Sequence, residues 1–282
     1  MAVNISKYAV NGISSVGWAA LNGTYPYGVT GTLSNGSGAG LGTLNMQSLG
    51  ITPPESAVTF ANANNGVLTS FRQQPQELPA GTMASAEFDA DFAAKATGIK
   101  VATLGDWDSV EMFQRCFSYA DIMLLINSPA NSLETATLDE AGFVTRIFYK
   151  ANFDSQAFVE LNTATIATFN AGINLKRSAI LPWGESLTTA THGTTQSVGR
   201  AFYSPNPCWI HTWIANGSAT TFTLDKLPVA ADTASIKMWR NGTALTYTSD
   251  FSVNASTGVV TLVSAGSAGD KLVALYQFSG TC

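Results

Sequence analysis

Three carboxylates at every second position, Glu87, Asp89 and Asp91, are the strongest candidates for chemistry in this 282-residue chain. The run Met83–Phe92 (MASAEFDADF) alternates, and a strand sends successive side chains to opposite faces. One face then carries Ala84, Ala86, Phe88, Ala90 and Phe92; the other carries Met83, Ser85, Glu87, Asp89 and Asp91. Like charges on one face repel each other and want water or a cation. The stripe reads as a solvated strand face, as a negative wall that repels phosphate and lets nucleic acid slide, or as oxygen ligands for calcium. No DxDxDG-type loop supports the calcium reading.

Catalytic devices are poorly represented. The histidines are His192, in a Thr-rich stretch, and His211, flanked by Ile210 and Thr212 in a strand-like run. Isolated histidines of this kind are expected to be structural. No G-x-S-x-G elbow is present. Gly36-Ser37-Gly38-Ala39-Gly40 is no dinucleotide fingerprint, because Leu41 stands where the last glycine belongs. Asp106, Asp108 and Glu111 could suggest paired acids, but a helix start explains them better. Asp108 or Ser109 can cap, and Glu111 suits a first turn. Val110, Phe113, Phe117, Ala120 and Leu124 recur at helical spacing, which predicts a helix from about Asp106. Ile122–Ile126 (IMLLI) could instead be a buried strand following a shorter helix. Cys116, Cys208 and Cys282 fit no zinc spacing and read as free thiols of a reducing compartment. No enzyme activity, cofactor or metal is expected.

Charged residues make up 12% of the chain, against about 25% in ordinary domains. Hydrophobic residues at 45% supply an ample core. So few charges suit a protein that buries surface against copies of itself, since obligate interfaces resemble a core cut in half. A net charge of −5 argues against tight nucleic-acid binding. No apolar run approaches the roughly 20 residues needed to span a bilayer, so no membrane insertion is expected. The N-terminus lacks the pattern of a signal peptide.

The elements that would position these residues are mostly strands. Residues 1–50 are punctuated by Gly and suit an extended arm, with Trp18, Tyr25 and Tyr27 as anchors on a neighbouring surface. Ala57–Phe71 reads as strand, Asn65-Gly66 turn, strand, and Phe143–Phe153 and Phe158–Ile173 are also strand-like. Residues 185–206 read as a loop or linker. Cys208–Ile214 either closes the first domain or leads into the last. In Thr221–Phe278, short alternations are cut by turn signals at nearly even spacing. Asn241-Gly242 lies between two alternations, a strong hairpin signal because both residues tolerate positive φ. A compact C-terminal β-sandwich follows.

The order of pieces in that module (TFTL, a strand ending before Asn241-Gly242, Phe251-Ser252-Val253, Thr257-Gly258-Val259-Val260-Thr261-Leu262, Gly269-Asp270 and an apolar closing strand) resembles the accessory domain of bacteriophage tail and fibre proteins. The whole organisation resembles the tail tube (major tail) proteins of long-tailed phages. The resemblance implies a mainly β fold: a β-sandwich tube domain over 1–212, with one flanking α-helix and extended loops, plus a small β-sandwich over 213–282. It implies a structural virion protein, assembled in the host cytoplasm into hexameric rings that stack into a tail tube. Its partners would be copies of itself, tape-measure and tail-end proteins, and phage DNA passing the lumen without specific binding. Glu87, Asp89 and Asp91 would line that lumen. A fibre, adaptor or decoration protein that binds the host surface is the alternative, and a lysin-like enzyme is a third reading.

Overall fold

The computed structural model describes residues 8–10, 12–52, 58–63, 67–72, 79–85, 89–97, 99–104, 107–115, 120–132, 141–162 and 165–279. In chain order the first elements are β1 (Tyr8–Val10), β2 (Ser15–Asn22), β3 (Tyr25–Pro26), β4 (Gly38–Gly40), β5 (Gly42–Thr43), β6 (Met46–Thr52), β7 (Val58–Ala63), β8 (Val67–Arg72) and β9 (Ala80–Ser85). Then come α1 (Ala90–Thr97), β10 (Ile99–Leu104), β11 (Trp107–Arg115), β12 (Ile122–Ser132), β13 (Ala141–Asn162), β14 (Thr165–Leu175), the single turn α2 (Thr189–His192) and β15 (Gly199–Ser204). The last are β16 (Cys208–Ile214), β17 (Thr221–Thr223), β18 (Ile236–Arg240), β19 (Thr243–Leu245), β20 (Phe251–Asn254), β21 (Val259–Leu262) and β22 (Lys271–Gln277). The fold is mainly β, with several antiparallel sheets and, among the described residues, two short helices, in the class expected from the sequence.

A ten-stranded sheet runs β3-β2-β12-β13-β14-β9-β6, with β1, β5 and β15 attached at its sides. Strand β12 lies between β2 and β13 and is buried on both faces, which explains its continuous apolar run IMLLI. Ile122, Leu124 and Ile126 point to a core that includes Trp18, Met83, Phe153 and Ile173, with Phe92, Ala93 and Ala96 of α1. Phe92 meets Trp18 and Phe153 edge-on, with ring centroids 5.2 and 5.1 Å apart. Met123 and Leu125 point the other way, into a second core shared with the C-terminal module. There the sheet β19-β18-β22-β16-β4 packs on the first sheet, and the small sheet β17-β21-β20 packs on its far side.

The 22-residue β13 serves two regions. Its first half pairs with β12 and β15, and its second half pairs with β14 through three register shifts. Such bulges bend a strand and increase its twist. The strand-like stretch from Phe158 to Ile173 is divided between β13 and β14.

Several expectations are corrected. The helix expected from Asp106 is a strand: β11 pairs with β10, Val101 facing Val110 and Leu104 facing Trp107. Only Gly105 and Asp106 separate those paired ends, a hairpin signal that outweighs the helical spacing. Residues 15–22 are no arm but a central strand, because Gly17 leaves room for Leu41 and Trp209 to press on the backbone. Trp18 is wholly buried rather than offered to a neighbour. The expected linker 185–206 contains α2 and β15, and β15 pairs with β13. The expected boundary at 212/213 falls inside β16, which pairs throughout with β22 and therefore opens the C-terminal module. β16 also pairs with β4, so the N-terminal segment supplies that module's edge strand.

The hairpin at Asn241-Gly242 forms as expected, with φ of 50° and 85° and Arg240 facing Thr243. Strands β7 and β8 flank Asn65-Gly66 as expected, while that turn lies outside the described residues.

Candidate functional site

The acidic stripe does not exist as a strand face. β9 ends at Ser85, and Asp89 instead caps α1: its Oδ1 accepts the N–H of Phe92 at 3.0 Å and its carbonyl accepts that of Ala93. Asp91 sits in the first helical turn, where the positive end of the dipole favours it, and Lys95 in the last. Glu87 lies outside the described residues. The missed signal is composition: ADFAAKAT is rich in strong helix formers, and Phe92, Ala93 and Ala96 make an apolar stripe at helical spacing. Among the described residues no group of His, Cys, Asp or Glu could hold a metal ion. No helix among them is long and apolar enough to cross a membrane. Cys208 is a free, buried thiol, and burial pushes its pKa up; Cys116 and Cys282 lie outside the described residues.

The histidines mark two polar centres that sequence reasoning left as isolated structural residues. The first is Asp225, which follows β17. Its carboxylate accepts Trp209 Nε1–H at 2.8 Å, the Tyr276 hydroxyl at 2.6 Å and His211 Nδ1 at 3.2 Å. The Asp225 backbone N–H also lies 3.3 Å from His211 Nδ1, but a bond to an ionised acceptor is the stronger, so Nδ1 carries the hydrogen. Burial would push the Asp225 carboxyl up; the hydrogen bonds from His211 and Tyr276 outweigh it and hold the carboxyl below its ordinary value. Tyr276 is pushed up, by burial first and by the Asp225 charge second. Gly40 of β4 lies against this carboxylate, and a Cβ there would collide with Oδ2. Lys226 places its ammonium over the Trp209 and Phe278 rings, 4.4 and 4.8 Å from their centroids. These bonds tie the Asp225 segment to β16 and β22, and the close approach of Gly40 ties it to β4.

The second centre lines a cavity of about 430 Å³ at the seam between the ten-stranded sheet and the C-terminal module. Strands β15, β18 and β22 contribute to its walls. On β15, Arg200, Phe202 and Ser204 share one face by their spacing of two. Opposite, Ser235 and Lys237 lie beside Leu275 and Gln277 of β22. Trp183 and Trp239, stacked at 4.7 Å between centroids, close the apolar end. Glu185 accepts Trp183 Nε1–H at 2.9 Å and lies 3.4 Å from His192 Nε2. The Thr188 backbone N–H approaches His192 Nδ1 at 3.4 Å, so Nδ1 accepts and Nε2 carries a hydrogen toward Glu185. The α2 turn sets this geometry: Thr188 caps it, and Gly193, at φ 70°, ends it.

His192 and Glu185 could serve as an acid/base pair, but the hydroxyl that meets His192 Nδ1 is that of Thr191, which is tied to Thr188 in the cap of α2 and does not line the cavity. The cavity therefore has the make-up of a binding site. A smaller cavity of about 350 Å³ lies between residues 13–16 and 43–46, with Trp209 and Lys226 at its end. No known protein family matches the chain, and no curated protein or solved structure matches it significantly.

Proposed function

We propose that the chain is a structural virion protein, a subunit of a phage tail tube that forms rings and stacks them around a channel for the genome. The observation that carries this reading is the pair of ribbons β7–β8 and β10–β11. Each forms a two-stranded sheet of its own among the described residues. An isolated two-stranded hairpin is at best marginally stable in water, so such ribbons want a partner surface. β7 and β8 carry a single charge, Arg72.

The edge strand β6 adds to the support. Among the described residues it pairs only with β9, and it has neither a charged residue nor a proline, the usual protections of an exposed edge. A chain with 12% charged residues and open strands is built to bury surface against further copies. In a ring, the ribbons and β6 meet neighbouring subunits, and the C-terminal module rides on the opposite face of the central sheet.

Negative-stain imaging of the purified full-length protein tests the proposal. Rings or stacked tubes are the expected result. A monodisperse monomer at high concentration, or an elongated trimer, overturns it; the trimer points to the fibre or adaptor alternative.

A further inference from the structure

We propose that the seam cavity binds a small hydroxylated ring bearing one carboxylate, a sugar of the uronic-acid type. This goes beyond the assembly role and does not depend on it.

The volume, about 430 Å³, falls in the range of small-molecule sites and admits a single ring with its substituents. The charge is set by Arg200 and Lys237. The Arg200 guanidinium lies near the neutral hydroxyl of Tyr149, and neither Arg200 nor Lys237 forms an ion pair among the described residues. The one carboxylate in the lining, Glu185, is engaged by Trp183 and His192. An anionic group on the ligand is therefore the missing counter-charge.

Ser235 supplies the second, independent observation. It is 7% exposed, yet its hydroxyl has no hydrogen-bond partner among the described residues. Its backbone is fully used, the N–H by Asp232 Oδ1 and the carbonyl by the N–H of Gln277. The hydroxyl is thus open to the cavity rather than sealed in the fold, and it can bond a ligand atom there. Ser235 stands in the turn just before β18 and Lys237 within that strand, and both line the cavity.

The remaining lining selects the rest of the ligand. Phe202, Leu275 and the Trp239 ring form an apolar wall suited to the C–H face of a sugar ring. Glu185 Oε1 keeps acceptor capacity for a ring hydroxyl beside its contact with His192, since an ionised carboxylate oxygen takes more than one donor. A flat aromatic carboxylate would satisfy the cations and the wall but would leave Ser235 and Glu185 without hydroxyl partners.

Calorimetric titration of the full chain, in whatever assembly state it purifies, tests the proposal with D-glucuronate, glucose and benzoate. Glucuronate is expected to bind, with glucose and benzoate each weaker by about tenfold or more, the worth of one charge-assisted pair or of the hydroxyl contacts. Lys237→Ala and Ser235→Ala are each expected to weaken glucuronate by at least about threefold to tenfold. Lys237 is exposed, so its variant is expected to keep the wild-type melting curve. No glucuronate binding at millimolar concentration overturns the proposal. So does unchanged affinity in both variants, or benzoate binding as tightly as glucuronate.

Discussion

Two polar side chains on opposite faces of the central sheet, Trp18 and Asn127, are buried in opposite ways. On the helix side, Trp18 Nε1 is buried with no hydrogen-bond partner. On the seam side, three residues along β12 from Leu124, the partner of Trp18, Asn127 has every position taken. Its amide donates to Ser15 Oγ at 3.0 Å and to the Cys208 carbonyl at 2.9 Å. Its carbonyl accepts the Thr145 hydroxyl at 2.7 Å and the Cys208 N–H at 3.0 Å. The helix side is thus held by shape and apolar area, and the seam by a polar staple that fixes where β16 begins. A staple specifies register; an apolar face tolerates any filling of the right volume.

Substitutions at the two positions break this comparison. Trp18→Ala is expected to be the most damaging, at about 3–5 kcal/mol, because it opens a cavity against Phe92 and β12. Trp18→Phe keeps the ring and removes an orphan donor, so it is expected to cost a small fraction of that in urea denaturation. A Phe variant as unstable as the Ala variant would mean that Nε1 is bonded after all. Asn127→Leu is expected to cost about 2–4 kcal/mol despite its similar volume, since Thr145 and both Cys208 backbone groups lose partners. A neutral result there would reduce the staple to ordinary packing.

The difference also explains what could be seen in the sequence. The C-terminal strands and the turn at Asn241-Gly242 follow from alternation and from local φ preferences, both of which act over a few residues. The run IMLLI signals burial but cannot say that α1 covers one side and the C-terminal module the other. Asp89 could serve equally in a strand or as a cap; the Ala-rich stretch after it decides for the cap. The seam cavity was invisible because its walls come from β15 and β18, far apart in the chain, and β15 lies in a stretch whose polar composition reads as a loop. Asn127 and Asp225 carry no local signal, since their partners are assembled only by the sheets.

Asp225 sharpens the comparison by adding charge to the seam-side module. Its carboxyl is held below the ordinary value, so the unfolded chain binds the proton more readily than the folded one. The stabilisation is complete above the unfolded carboxylate value of about 4 and is lost as pH falls through the lower folded value. Asp225→Asn is expected to cost about 2 kcal/mol near neutral pH, by weakening the bonds from His211, Tyr276 and Trp209. Its stability should also fall less steeply than wild type below pH ~4. Melting temperatures measured across that range check both statements, and parallel acid limbs would remove Asp225 from the account.

The smallest effect belongs to the helix side. Asp89→Ala removes one capping bond, and such caps are worth about 1 kcal/mol. The helix buries Phe92, Ala93 and Ala96 against the sheet, so tertiary packing is expected to hold α1 in place without the cap. Asp89→Asn, which keeps a side-chain acceptor, is expected to recover most of the loss, and Asp89→Lys to cost more than Ala because it puts a cation at the positive end of the dipole. That ordering, Asp, Asn, Ala, Lys, is what a cap requires. An acid on a strand face would instead gain from losing its charge beside Asp91, so equal or greater stability in the Asn and Ala variants would restore the acidic strand.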